Sequence, residues 1–234
     1  MEIPVQVEDE LLFWLDNIKR VNVKKLDFYS KSTVMVYSDA SNVACGAYTV
    51  EVNSKIFHQM WNRSEMQLSC TWREMKAIEQ SLISFENVFK GRTLKWFTDN
   101  HNCVRIVRSG SMKLKLQNLA NSVFSVCSQQ GISIHVQWIP RSENTLADYV
   151  SKMVDHEDWG VSFEFFNFID EIWGSHTIDR FASHLNTKLP LYNSLFWNAS
   201  AEAIDAFTQD WSQENNWLVP PIYLVLGVIK HVIA

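Results

Sequence analysis

The stretch TVMVYSDASNVACGAYTV, residues 33–50, decides how the rest of the chain is read. Its first half, Thr33–Ser38, is apolar and rich in β-branched residues, as a buried strand requires. Asp39-Ala-Ser-Asn is a turn cluster, and Ala44–Val50 resumes as a second strand. Lys55–Trp61 adds a third, so the region predicts an antiparallel meander.

Beyond it the hydrophobic period lengthens. Met75, Ile78, Leu82 and Phe85 recur at spacings of three, four and three, which predicts a helix over Thr71–Phe85. Leu94–Thr98 reads as a strand ending at Asp99-Asn100, followed by a short helix near 101–108. Leu114–Cys127 reads as a further helix, stopped by Gly131. Ile132–Ile139 alternates as a strand with Ile132, Ile134, Val136 and Trp138 on one side, and Pro140 ends it. Leu146–Met153 closes the series as a helix. This order predicts an α/β fold around a five-stranded mixed sheet, three antiparallel strands and then two parallel ones, flanked by helices. Upstream, Leu11, Leu12, Trp14, Leu15 and Ile18 mark an amphipathic helix over Glu10–Val21.

The domain boundaries predicted are 1–30 for a connection helix, 31–155 for the sheet domain and 156–234 for a small α/β module. Charge follows this division. Residues 1–29 carry a net −2, residues 30–153 a net +5 and residues 154–234 a net −8. A basic middle suggests a nucleic-acid-facing part joined to one that does not face phosphates.

The remaining composition excludes other classes. With 47% hydrophobic and 20% charged residues the chain is globular and not disordered. Cys45, Cys70, Cys103 and Cys127 form no CxxC pair, so neither a zinc knuckle nor a disulfide framework is expected. MEIPVQVEDE has no apolar core for a secretory signal, and Pro220-Pro221, Lys230 and His231 interrupt the one membrane candidate, Trp217–Ala234. A cytoplasmic or nuclear protein is expected, neither secreted nor membrane-bound.

Four acids stand at special places: Asp39 after the first strand, Glu74 opening the long helix, Asp99 ending the fourth strand and Asp148 opening the last helix. If strands one and four are neighbours, the two aspartates sit side by side and the helix acids meet them. Four carboxylates in one cleft repel one another unless cations balance them. Two divalent ions supply that balance, and hard oxygen ligands suit Mg²⁺ or Mn²⁺. Such a pair hydrolyses phosphodiesters. Each acid also has a structural reading: Thr71-x-x-Glu74 and Thr145-x-x-Asp148 are capping boxes, and Asp39 and Asp99 precede turns.

The strings YSDASNVACGAY (37–48), TWREMKAI (71–78), LKWFTDNHNCV (94–104) and VQWIPRSENTLADYVSK (136–152) resemble the type 1 ribonuclease H domain behind retroelement reverse transcriptases. DIRS-like, tyrosine-recombinase retrotransposons are the nearest in flavour. The resemblance implies an RNase H-like fold, with Asp39, Glu74, Asp99 and Asp148 as the catalytic, metal-holding quartet. It also implies an endonuclease that cleaves the RNA strand of RNA/DNA hybrids with two Mg²⁺ or Mn²⁺ ions. Its partners would be the hybrid and a polymerase domain or other retroelement polypeptide. The alternative is a domesticated nucleic-acid-binding or scaffold protein with an idle site.

Two departures stand out. The loop before the last acid, Pro140-Arg-Ser-Glu-Asn-Thr145, lacks the family's histidine, and His135 lies in a strand and reads as structural. The basic handle of cellular homologues is also not obvious, and Lys90, Arg92, Lys95, Arg105, Arg108, Lys113 and Lys115 are the residues expected to supply phosphate contacts instead. No Y-x-D-D polymerase signature occurs, so the chain is not expected to be a reverse transcriptase itself. Asn42, Asn100 and Asn144, beside the acids, together with Arg105 and Arg108, are the nucleic-acid contacts expected. Trp61, Trp72, Trp96 and Trp138 read as core.

TIDRFASHLNTKLPLYNS (177–194), AIDAFTQDW (203–211) and NNWLVPPIYLVL (215–226) resemble the Dam-methyltransferase-like segment of those elements. Val219 and Ile222 stand where that family has an Asp or Asn and an aromatic, so the expectation is a degenerate, non-catalytic module. Its aromatics Trp159, Phe163, Phe165, Phe166, Phe168 and Trp173 are expected to bury against the sheet domain.

Overall fold

In a computed structural model, residues 5–21, 34–51, 55–154 and 159–233 are described. The chain divides into two compact units, Met1–Lys31 and Ser32–Ala234. The described residues of the first form an amphipathic helix, α1 (Val5–Val21), with acidic Glu8 in its first turn, where the helix dipole favours it.

The second unit is built on a five-stranded sheet in the order β3-β2-β1-β4-β5. Its strands are β1 (Val34–Ala40), β2 (Ala44–Thr49), β3 (Ile56–Met60), β4 (Thr93–Thr98) and β5 (Ser133–Trp138). β1–β2 and β2–β3 pair antiparallel, whereas β1–β4 and β4–β5 pair parallel. This is the RNase H-like arrangement, with three antiparallel strands followed by two parallel ones, and it meets the sequence expectation.

The parallel crossings need covering helices. These are α2 (Cys70–Ser84), the short α3 (Glu86–Phe89), α4 (His101–Ser109) and α5 (Leu114–Gln130). Val34, Val36, Leu94, Trp96 and Val136 from the sheet share one core with Ile78 and Leu82 of α2 and Leu119 and Val123 of α5. Gly131 (φ 65°) ends α5 in the left-handed conformation, as its position in the sequence suggests.

Tyr37 stacks on Tyr48 at 4.9 Å and on Phe97 at 4.6 Å. α6 (Thr145–Lys152) packs on β1 and β2. Only glycine fits at 46 beneath it, because a Cβ there would lie 2.5 Å from Val150 Cγ1 and 2.9 Å from the Ser151 nitrogen. That close approach brings α6, with Asp148, onto the strand that pairs with Asp39.

The C-terminal part has little regular structure: α7 (Phe163–Trp173), the two-residue strands β6 (Ile178–Asp179), β7 (Asn193–Ser194), β8 (Ala203–Ile204) and β9 (Asn216–Trp217), and α8 (Val225–Ile233). The aromatics expected to seat it on the sheet do not do so. Trp159, Phe163, Phe165, Phe168 and Trp173 are 46–71% exposed, and only Phe166 is buried, edge-on to Trp217. A different pair makes the contact. Trp197 bridges to Phe57 of β3 and lies 5.8 Å from Phe85, while Phe196 meets His58. His184 adds a hydrogen-bond contact to the Met60 carbonyl at 3.1 Å.

β5 also differs in detail. Val136 is buried, but Trp138 is 38% exposed and His135 faces outward. Among the described residues, no helix is long and apolar enough to cross a membrane.

Candidate metal centre

The register Tyr37 to Phe97 of the parallel β1–β4 pair carries Asp39 and Asp99, two residues further on, to adjacent strand ends. α2 supplies the third acid. Its N-cap is Ser69, whose hydroxyl accepts from the Trp72 nitrogen at 3.3 Å, so the capping box expected from Thr71 to Glu74 does not form. Glu74 is thereby turned inward, only 6% exposed, and accepts a hydrogen bond from the Ala40 backbone.

Asp39, Glu74 and Asp99 each present a carboxylate oxygen within 4.8 Å of the other two. Burial pushes the Glu74 carboxyl well above its ordinary range, and the charges of Asp39 and Asp99 push it further. Burial likewise raises Asp39; the Ser151 hydroxyl, which donates to Asp39 Oδ2, opposes that, while Asp99 and Asp148 add to it. Glu74 Oε2 is buried without a hydrogen-bond partner among the described residues. A buried, unpartnered carboxylate oxygen beside two more carboxylates is a costly arrangement without a cation. The all-oxygen donor set fits a hard divalent ion.

The fourth acid is placed differently. Asp148 stands in the first turn of α6, outside the three-acid group. Its carboxylate is paired with the Arg141 guanidinium, and Lys152 Nζ lies 2.5 Å from Oδ2. Burial works against its charge, but hydrogen bonds from Lys152 and Arg141 hold it below the usual carboxylate range. The N-cap of α6 is Asn144, with no side-chain capping bond, so the Thr145–Asp148 box does not form either.

The amides expected on the nucleic-acid surface are largely committed within the fold. Asn144 is fully buried and donates to the Ser38 carbonyl at 2.9 Å, which removes it from any such surface. Asn42 is exposed, with its oxygen held by Arg73 at 2.7 Å. Asn100 caps α4 by accepting from the Asn102 nitrogen at 3.0 Å. Arg105 is exposed on α4, and Arg108 donates to the Val136 carbonyl at 3.1 Å.

Three neighbours of the acids escaped the sequence reading. Ser151 lies three residues after Asp148, on the same helical face, a spacing that signals its role. Arg141 occupies the loop that lacks a histidine. Trp138 is not core: its indole donates to the Asp99 carbonyl at 2.9 Å, and its ring stacks on His101 at 4.3 Å.

The raised carboxyls give a pH prediction with a definite sign. Asp39 and Glu74 hold protons more tightly when folded, so their contribution is fully present below the unfolded pKa and is lost as pH rises through the folded values. Asp148 works oppositely, but its ion pairs are partly exposed and weak. Mg²⁺ at 100 times its Kd should then raise the melting midpoint by about 5–10 °C near neutral pH. Near pH 4, protons should displace it and the shift should vanish. An equal shift at both pH values, read by calorimetry, would place the ion elsewhere.

Residues 89–154 match the family described as reverse transcriptase-like, a stretch that includes Asp99 and Asp148. No curated protein matches the chain. Among solved structures, the RNase H1 of the halophilic archaeon Halobacterium salinarum aligns with 50% of this chain and 92% of its own, at 16% identity and a TM-score of 0.41. LC11-RNase H1 in complex with an RNA/DNA hybrid aligns with 50% of this chain and 93% of its own, at 14% identity and 0.41. The foamy viral protease-reverse transcriptase, also solved with an RNA/DNA hybrid, aligns with 55% of this chain but 22% of its own, at 14% and 0.40.

Proposed function

We propose that residues 31–155 form an endoribonuclease that cleaves the RNA strand of RNA/DNA hybrids with two Mg²⁺ or Mn²⁺ ions. In this reading the chain derives from a retrotransposon polyprotein of DIRS-like flavour. The observation that carries it is the cluster of Asp39, Glu74 and Asp99, with its unpartnered buried oxygen.

Asp39, Glu74 and Asp99 would hold the metal, and Asp148 would complete the set once Arg141 and Lys152 release it. Bound divalent ions supply activation of water and stabilisation of the leaving oxygen in phosphodiester hydrolysis. The chain's own residues do the positioning. Ser151 fixes the Asp39 carboxylate, and Trp138 fixes the backbone of Asp99. Arg105 and Asn42, both exposed, would serve as phosphate and sugar contacts. The connection helix at 1–30 and the acidic module at 156–234 take no part in the chemistry, and the module is a degenerate, non-catalytic relative of Dam-type methyltransferases.

A second reading has its own support. The ion pairs that engage the Asp148 carboxylate suit an idle, nucleic-acid-binding domain. A labelled RNA/DNA hybrid incubated with the purified chain separates the two. Mg²⁺- or Mn²⁺-dependent cleavage of the RNA strand, abolished by chelator, is the expected outcome. Binding in chelator with no cleavage when metal is restored would favour the idle domain.

A further inference from the structure

We propose that the outer face of α8 is a dimer interface, covered by the same helix of a second copy of the chain lying antiparallel to it. The inner face already has its partners. Val228 is buried with Ala206 and Trp211, and the His231 ring lies edge-on to Trp211 at 4.4 Å. The outer face is left in water. Ile222, in the short turn Ile222–Leu224 that leads into the helix, and Val225, Leu226, Ile229, Val232 and Ile233 are 42–79% exposed.

At 3.6 residues per turn these six fall within about a third of the circumference, opposite Val228 and His231. A helix that is apolar on both its inner and its outer side is a helix built for burial. The six leave on the order of 600 Å² of surface in one stripe, the upper end of what a monomer exposes, and Tyr223 beside them brings it near the about 800 Å² that each partner gives to a standard interface.

The arrangement of the stripe selects the occupant. Leu226, Ile229 and Ile233 are spaced three and four apart, the seam of a paired helix. Val225 and Val232 lie along one flank of that seam, Tyr223 and Lys230 along the other, and all four are exposed. In an antiparallel pair like flanks meet. Val225 then faces the partner's Val232, and Tyr223 faces the partner's Lys230, an ammonium against an aromatic face. In a parallel pair unlike flanks meet, which sets Lys230 against valine. The antiparallel pair is also isologous, so it closes as a two-fold dimer and leaves no open end.

A lipid surface matches this face less well. Helices that lie in a membrane interface are rich in Lys and Arg on their polar side. Lys230 is the one such residue in 222–233, and residues 154–234 carry a net −8, which anionic headgroups repel.

The test is sedimentation of the full chain from about 1 to 200 µM, over which the average mass should climb from one chain to two. Leu226→Lys and Ile229→Glu should each weaken pairing by about tenfold or more. Neither should lower the melting midpoint at about 1 µM, because both side chains are exposed in the single chain. Mixed in equal amounts, the two variants should pair again. Antiparallel packing sets position 226 of one chain against position 229 of the other, so the new ammonium meets the new carboxylate. A dimer that survives both substitutions, or a mixture that fails to pair, would overturn the proposal. So would a chain that stays monomeric at 200 µM, and its binding to vesicles of phosphatidylcholine and phosphatidylserine would then assign the face to lipid.

Discussion

Hybrid cleavage by Asp99→Asn or Asp39→Asn should fall by about 1,000-fold or more, with the fold intact. Asparagine keeps the volume of the side chain and removes the charge. Metal-held charge is worth several kcal/mol at the transition state, and each 1.4 kcal/mol is about tenfold in rate. The fold should not suffer, because the acids repel one another: Asp99 is among the charges that raise both Asp39 and Glu74. The metal-free melting midpoint of Asp99→Asn should therefore equal or exceed that of the parent chain, while the shift induced by Mg²⁺ shrinks. A melt that collapses would point to a structural role. Undiminished cleavage in a well-folded Asp99→Asn would remove the assignment.

The positions of these acids were legible for a physical reason. A strand that must be buried and then turn places its last polar residue at the sheet's end, and both TVMVYSD and LKWFTD have that form. The five strands follow from two periodicities and from the short polar connections among the first three, whereas the pairing of the first strand with the fourth entered the sequence reading only as a condition. What lay hidden depends on choices that local sequence leaves open. Ser69 and Thr71 are both competent N-caps, and only the packing of α2 selects Ser69 and swings Glu74 inward. Asp148 reads the same whether it faces metal or the Arg141 guanidinium. Asn144 looks like a turn residue, yet it is buried because α6 sits so close to β2 over Gly46.

The C-terminal module was misread for a related reason. Aromatic content shows that something is buried, but not which residues or against what. α7 has a phenylalanine-rich face, of which only Phe166 is covered. The contact with the sheet comes from Phe196 and Trp197, in a loop with no periodicity to announce it.

That loop makes removal of the module the second large expected effect. A chain cut after residue 155 should melt about 10 °C or more below the full chain. Trp197 continues the sheet beside Phe57, its nitrogen donating to the Ile56 carbonyl at 3.2 Å, and its ring packs on Phe85. Lys55 Nζ lies 4.1 Å above the same ring. Phe57 and Phe85 are fully buried in the intact chain, so the cut exposes them as well as removing their cover. Two half-buried aromatics hide about 200 Å² of apolar surface, roughly 5 kcal/mol at 25 cal/mol/Å² before ordering costs. In a domain of this size each kcal/mol moves the midpoint by about 2–4 °C. The cut also bares the outer edge of β3, an open pairing template, so self-association should rise as stability falls. Screened charge adds little: the +5 and −8 halves attract, but salt at physiological strength confines that attraction to about 8 Å. Calorimetry of both chains decides it. One cooperative transition in the full chain and a lower midpoint after the cut are expected. Two separable transitions, with the sheet domain melting at the same temperature in both chains, would show that Trp197 and its neighbours contribute nothing to the sheet's stability.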